Sequence, residues 1–138
     1  MITDQVRGDV FEAPQKHVVF AVNVEGFNND GFAGQVAARL WPKLAETGGN
    51  KMGQVLTRKS GEKTYYAVVC HSLMKQNGWK KTPRVVREAL DRLRVPKSEE
   101  IAVVLMGSGT IGRMGGANVG AIVDAISASK KKVVVFTL

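Results

Sequence analysis

Apolar and polar positions change period several times along this chain. Residues 17–24 (HVVFAVNV), 101–106 (IAVVLM) and 133–138 (VVVFTL) are apolar runs of strand length, the pattern of strands covered on both faces. Residues 4–11 (DQVRGDVF) predict a shorter opening strand. Residues 52–58 (MGQVLTR) and 63–71 (KTYYAVVCH), joined through Lys59, Ser60, Gly61 and Glu62, predict a hairpin. Helical spacing takes over from Gly31 to Leu44, where Phe32, Val36, Ala37, Leu40 and Leu44 share one side and Pro42 disturbs the last turn. Thr82-Pro83 predicts a second helix, with Thr82 as N-cap, Pro83 at the first helical position and Val85, Val86, Ala89, Leu90 and Leu93 facing inward. The small residues of 115–129 (GGANVGAIVDAISAS) predict a third. The order is ββα, ββα, βα, β. It defines an α/β chain, with a single domain over 1–138 built as three α/β/α layers around a mixed sheet of about six strands.

Composition narrows the class. The chain has 44% hydrophobic and 23% charged residues, which excludes a disordered tail, a collagen or a coiled coil. No stretch approaches the roughly 20 apolar residues of a membrane span, so no membrane partner is expected. Met1 to Val10 mixes charges with apolar positions, unlike a signal peptide, and the lone Cys70 fits a reducing cytoplasm. Two histidines and one cysteine make a poor zinc set, so neither a metal nor a cofactor is expected. The net charge of +8 points to an anionic partner: a nucleotide, a phosphorylated small molecule or nucleic acid. A basic surface kept for solubility has the same composition.

Two loops carry candidate chemistry. Gly107-Ser108-Gly109-Thr110-Ile111-Gly112 matches G-x-G-x-x-G directly after a strand and ahead of a helix. Glycines there let backbone N–H groups approach phosphate oxygens, although a plain tight turn has the same residues. A dinucleotide-binding fingerprint also needs an acidic residue about 20 positions later, at the end of the next strand. Here that region reads Lys130-Lys131-Lys132-Val133, so the nicotinamide reading fails while phosphate cradling survives. The second loop, Gly26 to Gly34, also joins a strand to a helix. Its Phe27 and Phe32 are candidates to stack on a sugar or base, or to join the core.

In their order and spacing these segments resemble an ADP-ribose-binding macrodomain over almost the whole chain. Gly8-Asp9-Val10-Phe11 is similar to the end of the family's opening strand. Ala21-Val22-Asn23-Val24 and Ala33-Gly34-Gln35-Val36-Ala37 are similar to the approach to its first ligand loop and to the helix beyond. Gly107 to Gly112 stands where the second ligand loop would be. Leu40-Trp41-Pro42 and the terminal Val135-Phe136-Thr137-Leu138 are most similar to a branch with two kinds of enzyme. One comprises phosphatases of ADP-ribose 1''-phosphate, the other hydrolases that remove terminal ADP-ribose from glutamate.

The resemblance implies that Asp9 accepts a hydrogen bond from the adenine amino group and that the Val10 backbone holds the base edge. It implies that Gly31, Phe32, Ala33 and Gly34, with Ser108 to Gly112 and the leading Gly107, surround the diphosphate and distal ribose. Asn23 and Asn28 would face the ribose, turn capping being the alternative. The chain also departs from the pattern. Many macrodomains carry three consecutive glycines where this one has Asp30-Gly31-Phe32-Ala33-Gly34. The glutamate-deconjugating enzymes use a lysine after the fourth strand and an aspartate in the second loop. Val69-Cys70-His71-Ser72 and Gly109 to Arg113 hold neither. The remaining catalytic candidates are Asp30, near the distal ribose, and His71, an acid or base near its reference pKa of about 6.5. The expectation is binding of ADP-ribose or a derivative, with hydrolysis open. The alternative is a basic nucleic-acid-binding module, and weak non-specific polymer binding is expected in either case.

Overall fold

The computed structural model describes residues 1–46 and 48–137. Strands β1 (Ile2–Arg7), β2 (His17–Asn23), β3 (Val55–Ser60), β4 (Lys63–His71), β5 (Glu100–Val104) and β6 (Lys132–Thr137) form one sheet in the order β1-β6-β5-β2-β4-β3. All neighbours are parallel except β3 and β4, so the sheet is mixed, as the sequence predicts. Helices α1 (Gly31–Arg39), α2 (Thr82–Arg92), α3 (Thr110–Met114) and α4 (Val119–Ala128) supply the outer layers.

Alternation along each strand sends side chains to two separate cores. Val18, Phe20 and Val22 of β2 pack with Phe32, Val36 and Ala37 of α1 on one face. Val19 packs on the other face with Val86 and Leu90 of α2 and Ile122 and Ile126 of α4. The helix after β2 and the one beyond β5 therefore cover opposite faces, although β2 and β5 are hydrogen-bonded neighbours. Chain paths that diverge in this way leave a crevice at the carboxyl ends of the strands.

Several boundaries differ from the sequence reading, each for a local reason. The opening strand covers residues 2–7 rather than 4–11, because Asp9 caps a 3-10 turn at Val10–Glu12 by accepting from the Phe11 N–H at 2.9 Å. The first helix stops at Arg39, not Leu44. Pro42 begins a separate 3-10 turn that runs to Glu46. The hairpin closes over two residues, Gly61 and Glu62, with Gly61 at φ +60°, so Lys59 and Ser60 belong to the strand. Thr82 is not the N-cap of α2. It is the first helical residue, and its hydroxyl donates to the Cys70 carbonyl. The helix predicted over 115–129 starts only at Val119, where the Asn118 side chain accepts from the Ala121 N–H at 3.0 Å. Leu138, placed by sequence in the last strand, lies outside the described residues.

Candidate functional site

The crevice is a cavity of about 670 Å³, bordered by the β2–α1 loop, the loop and short helix after β5, His71 at the end of β4 and Trp79 from the segment after it. That volume is in the range of small-molecule sites, about 300–1,000 Å³.

The β2–α1 loop is shaped by one asparagine. Asn23 Oδ1 accepts from the Gly26 and Phe27 N–H groups at 2.8 and 3.0 Å, while its Nδ2 donates to the Phe27 carbonyl at 3.1 Å. Asn23 thus lines the cavity, yet its side chain is committed to holding the turn rather than to a ribose. Asn28 differs. Its Oδ1 accepts from the Asn23 N–H at 3.1 Å, which fixes the amide orientation, and its buried Nδ2 has no hydrogen-bond partner. Asp30 stands at the N-cap of α1 and lines the cavity, but its side chain makes no capping bond. The first intrahelical bond runs from the Gly34 N–H to the Asp30 carbonyl, so the N–H groups of Gly31, Phe32 and Ala33 have no acceptor within the helix. All three residues border the cavity.

The second loop repeats this arrangement. Gly107 takes φ +83°, and Gly112 sits so close that a Cβ there would lie 2.3 Å from the Gly107 carbonyl oxygen. Helix α3 begins at Thr110 with Gly109 as N-cap, which has no side chain to cap with. Its first bond is from the Arg113 N–H to the Gly109 carbonyl, leaving the amides of Thr110, Ile111 and Gly112 without intrahelical acceptors. Gly107, Ser108 and these three residues all border the cavity.

His71 departs from expectation. It is buried and stacked on Trp79, and burial holds its pKa at about 4 against the opposing pull of Glu25. It is therefore not an acid or base poised near 6.5. Beside it, burial pushes the Cys70 thiol up to about 12, so that cysteine is an inert core residue. Glu25 ties the segment after β4 to the first loop, accepting from the Ser72 hydroxyl and from the Leu73 N–H at 2.9 Å. Burial alone would raise the Glu25 pKa, but these donors outweigh it and hold the carboxyl below its ordinary value.

The other candidate residues divide among the core, a close backbone approach and a second groove. Phe32 is a core residue, stacked on Phe11 with centroids 5.1 Å apart and edge-on to Phe20 at 5.3 Å, so only Phe27, at 59% exposure, remains at the cavity mouth. Gly34 does not border the cavity; a Cβ there would meet the Asn29 carbonyl oxygen at 2.3 Å, so its role is to admit the loop backbone. Asp9 borders a separate groove of about 500 Å³ with Val6, Gly8 and Phe136, and Val10, its side chain fully buried, opens the 3-10 turn that follows. Sequence reasoning missed Trp79, Met106 and Thr137 as cavity residues. The rule that ligands sit at the carboxyl ends of strands points to Met106, just after β5, and Thr137, at the end of β6, while nothing local points to Trp79.

A mixed sheet between two layers of helices, with two glycine-bearing loops gathered at the carboxyl ends of its strands, is a three-layer α/β/α architecture. Solved structures narrow the fold further. The macrodomain of Thermus aquaticus DarG superimposes with a TM-score of 0.69 at 19% identity, covering 99% of this chain and 97% of that one. An Oceanobacillus iheyensis macrodomain solved with ADP-ribose gives 0.68 at 15% identity, covering 96% and 83%. A Bacteroides thetaiotaomicron protein of unknown function gives 0.73 at 13% identity, covering 100% and 98%. The chain has the macrodomain fold. No protein-family model and no curated protein matches its sequence.

Proposed function

We propose that this chain binds ADP-ribose or a derivative of it in the 670 Å³ cavity. One observation carries the reading. The first-turn amides of α1 and α3, two groups of three N–H donors without intrahelical acceptors, border the same space. Such donors suit the oxygens of a diphosphate, and the dipole of α1 adds favourable charge. The Oceanobacillus macrodomains solved with ADP-ribose and with ADP support the same ligand class. By its resemblance to that family, Asp9 would then take the adenine amino group in the neighbouring groove that it borders.

In this reading the site holds its ligand rather than cleaving it. Asp30 is the one carboxylate bordering the cavity among the described residues, no lysine borders it, and His71 is neutral and stacked. Isothermal titration with ADP-ribose tests the binding; micromolar affinity, about −8 kcal/mol, is the expected result. No heat change at millimolar ligand would overturn it. Incubation with ADP-ribose 1''-phosphate tests the rest. Phosphate release that is lost in Asp30→Ala would restore the enzymatic reading.

A further inference from the structure

The chain carries 20 lysines and arginines, yet among the described residues none of them borders the cavity. The polar side chains at the β2–α1 end are of two kinds. Asn28 is 3% exposed, and its Nδ2 is a buried donor with no partner, its orientation fixed by the bond between Oδ1 and the Asn23 N–H. Asp30, two residues on, brings a carboxylate that makes no capping bond. An unpaired buried donor is costly, and an arriving acceptor would recover that cost.

Resting on the nucleotide reading above, we propose that this end of the cavity selects an uncharged, hydroxylated terminal group, a free sugar, and discriminates against a terminal phosphate monoester. A sugar hydroxyl both accepts and donates, so adjacent hydroxyls can take a bond from Asn28 Nδ2 and give one to the Asp30 carboxylate. A phosphate monoester carries about −1.5 to −2 charge at pH 7 and offers mainly acceptors. It would satisfy Asn28 but place its charge beside Asp30 in a space without a cation. His71, stacked on Trp79 in the same wall, supplies none at neutral pH. Backbone amides remain for the inner diphosphate, so discrimination falls on the last group of the ligand.

The test compares ADP-ribose, ADP-ribose 1''-phosphate and ADP by titration against the whole chain. ADP-ribose is expected to bind at least about tenfold tighter than its 1''-phosphate, the size of one unfavourable polar contact. Asp30→Asn, which removes the repulsion, should narrow that gap. Asn28→Asp keeps the oxygen that accepts from Asn23 and removes the donor. It should weaken ADP-ribose about tenfold, and by clearly more than it weakens ADP. The inference is overturned, with the nucleotide reading intact, if ADP-ribose and ADP bind but the 1''-phosphate binds equally well or better. It is also overturned if Asn28→Asp binds ADP-ribose as the parent does. Failure of all three ligands removes the nucleotide reading and this inference together.

Discussion

The imidazole of His71 lies flat on the indole of Trp79, with ring centroids 3.9 Å apart and planes 13° from parallel. The stack closes one wall of the cavity and removes the ring from water, and that burial is what lowers the histidine pKa from 6.5 to about 4. In the unfolded chain the same ring takes up its proton near 6.5. Between these values the unfolded state binds more protons, so stability is full above about pH 6.5, falls as pH drops toward 4, and levels off below. The loss across the window is about 3 kcal/mol. Urea unfolding at about pH 7.5 and about pH 5 measures it. In His71→Phe, which keeps a flat ring against Trp79, most of that pH dependence should vanish.

Gly109 and Gly112 of the second loop should respond in opposite ways. A Cβ at Gly109 meets nothing within 4 Å, and its φ of −80° with ψ of −177° suits a branched residue. Gly109→Val should therefore fold normally, with thermal midpoint shifted by no more than about 2 °C, while ADP-ribose affinity falls about a hundredfold as the mouth is obstructed. At Gly112 a Cβ would lie 2.3 to 2.5 Å from the Gly107 backbone. Gly112→Ala should cost about 1–3 kcal/mol of stability through overpacking. Circular dichroism melts beside titration separate the two effects.

Asp9 has a structural duty that a simple truncation would confound. Its Oδ1 caps the turn at Phe11, and removing a cap costs about 1 kcal/mol of stability by itself. Asp9→Asn keeps an oxygen for the cap but replaces the other carboxylate oxygen with a donor. Unfolding midpoints should stay near the parent value, while ADP-ribose binding weakens by about 1–3 kcal/mol if the adenine amino group pairs there. Equal affinity in the two proteins would remove Asp9 from the ligand site.

Salt should separate the cavity from the basic surface. Binding of a nucleic-acid strand by exposed lysines and arginines should be largely lost between about 50 and 200 mM salt. ADP-ribose binding should change far less, because no lysine or arginine borders the cavity among the described residues. Affinities measured across that range check this. A steep salt dependence for ADP-ribose would place surface cations in the site.

Much of the architecture is legible in the sequence, because continuous apolar runs such as Ile101 to Val104 and Val133 to Phe136 admit only a sheet covered on both faces. The short helix α3 and the late start of α4 are less legible. The run of small residues from Gly115 reads as helix throughout, and only the φ of +78° at Gly116 and the cap by Asn118 hold its start back to Val119. Both glycine loops stand out by composition. The state of Asn28 and His71 does not, since each depends on contacts that close only in three dimensions. Trp79 reaches His71 because the chain doubles back after β4, with the Ser72 N–H bonding the Gly78 carbonyl at 3.0 Å. Local periodicity carries no trace of that return. Asp9 shows the limit from the other side: its place in the sequence suggested a ligand, while the fold sets it over a neighbouring groove.

The donors grouped at the cavity are main-chain amides, and this leaves a wide freedom to evolve. Nearly every residue type carries the same N–H, so the loops can exchange side chains while keeping their geometry, provided the few close backbone approaches stay open. A fold built this way tolerates drift to the 13–19% identity that separates this chain from its structural neighbours. It also means that, among the twenty residue types, only proline deletes one of these donors outright. Only an edit to the backbone, such as an ester in place of the Ala33 amide, would remove one donor and add nothing in its place.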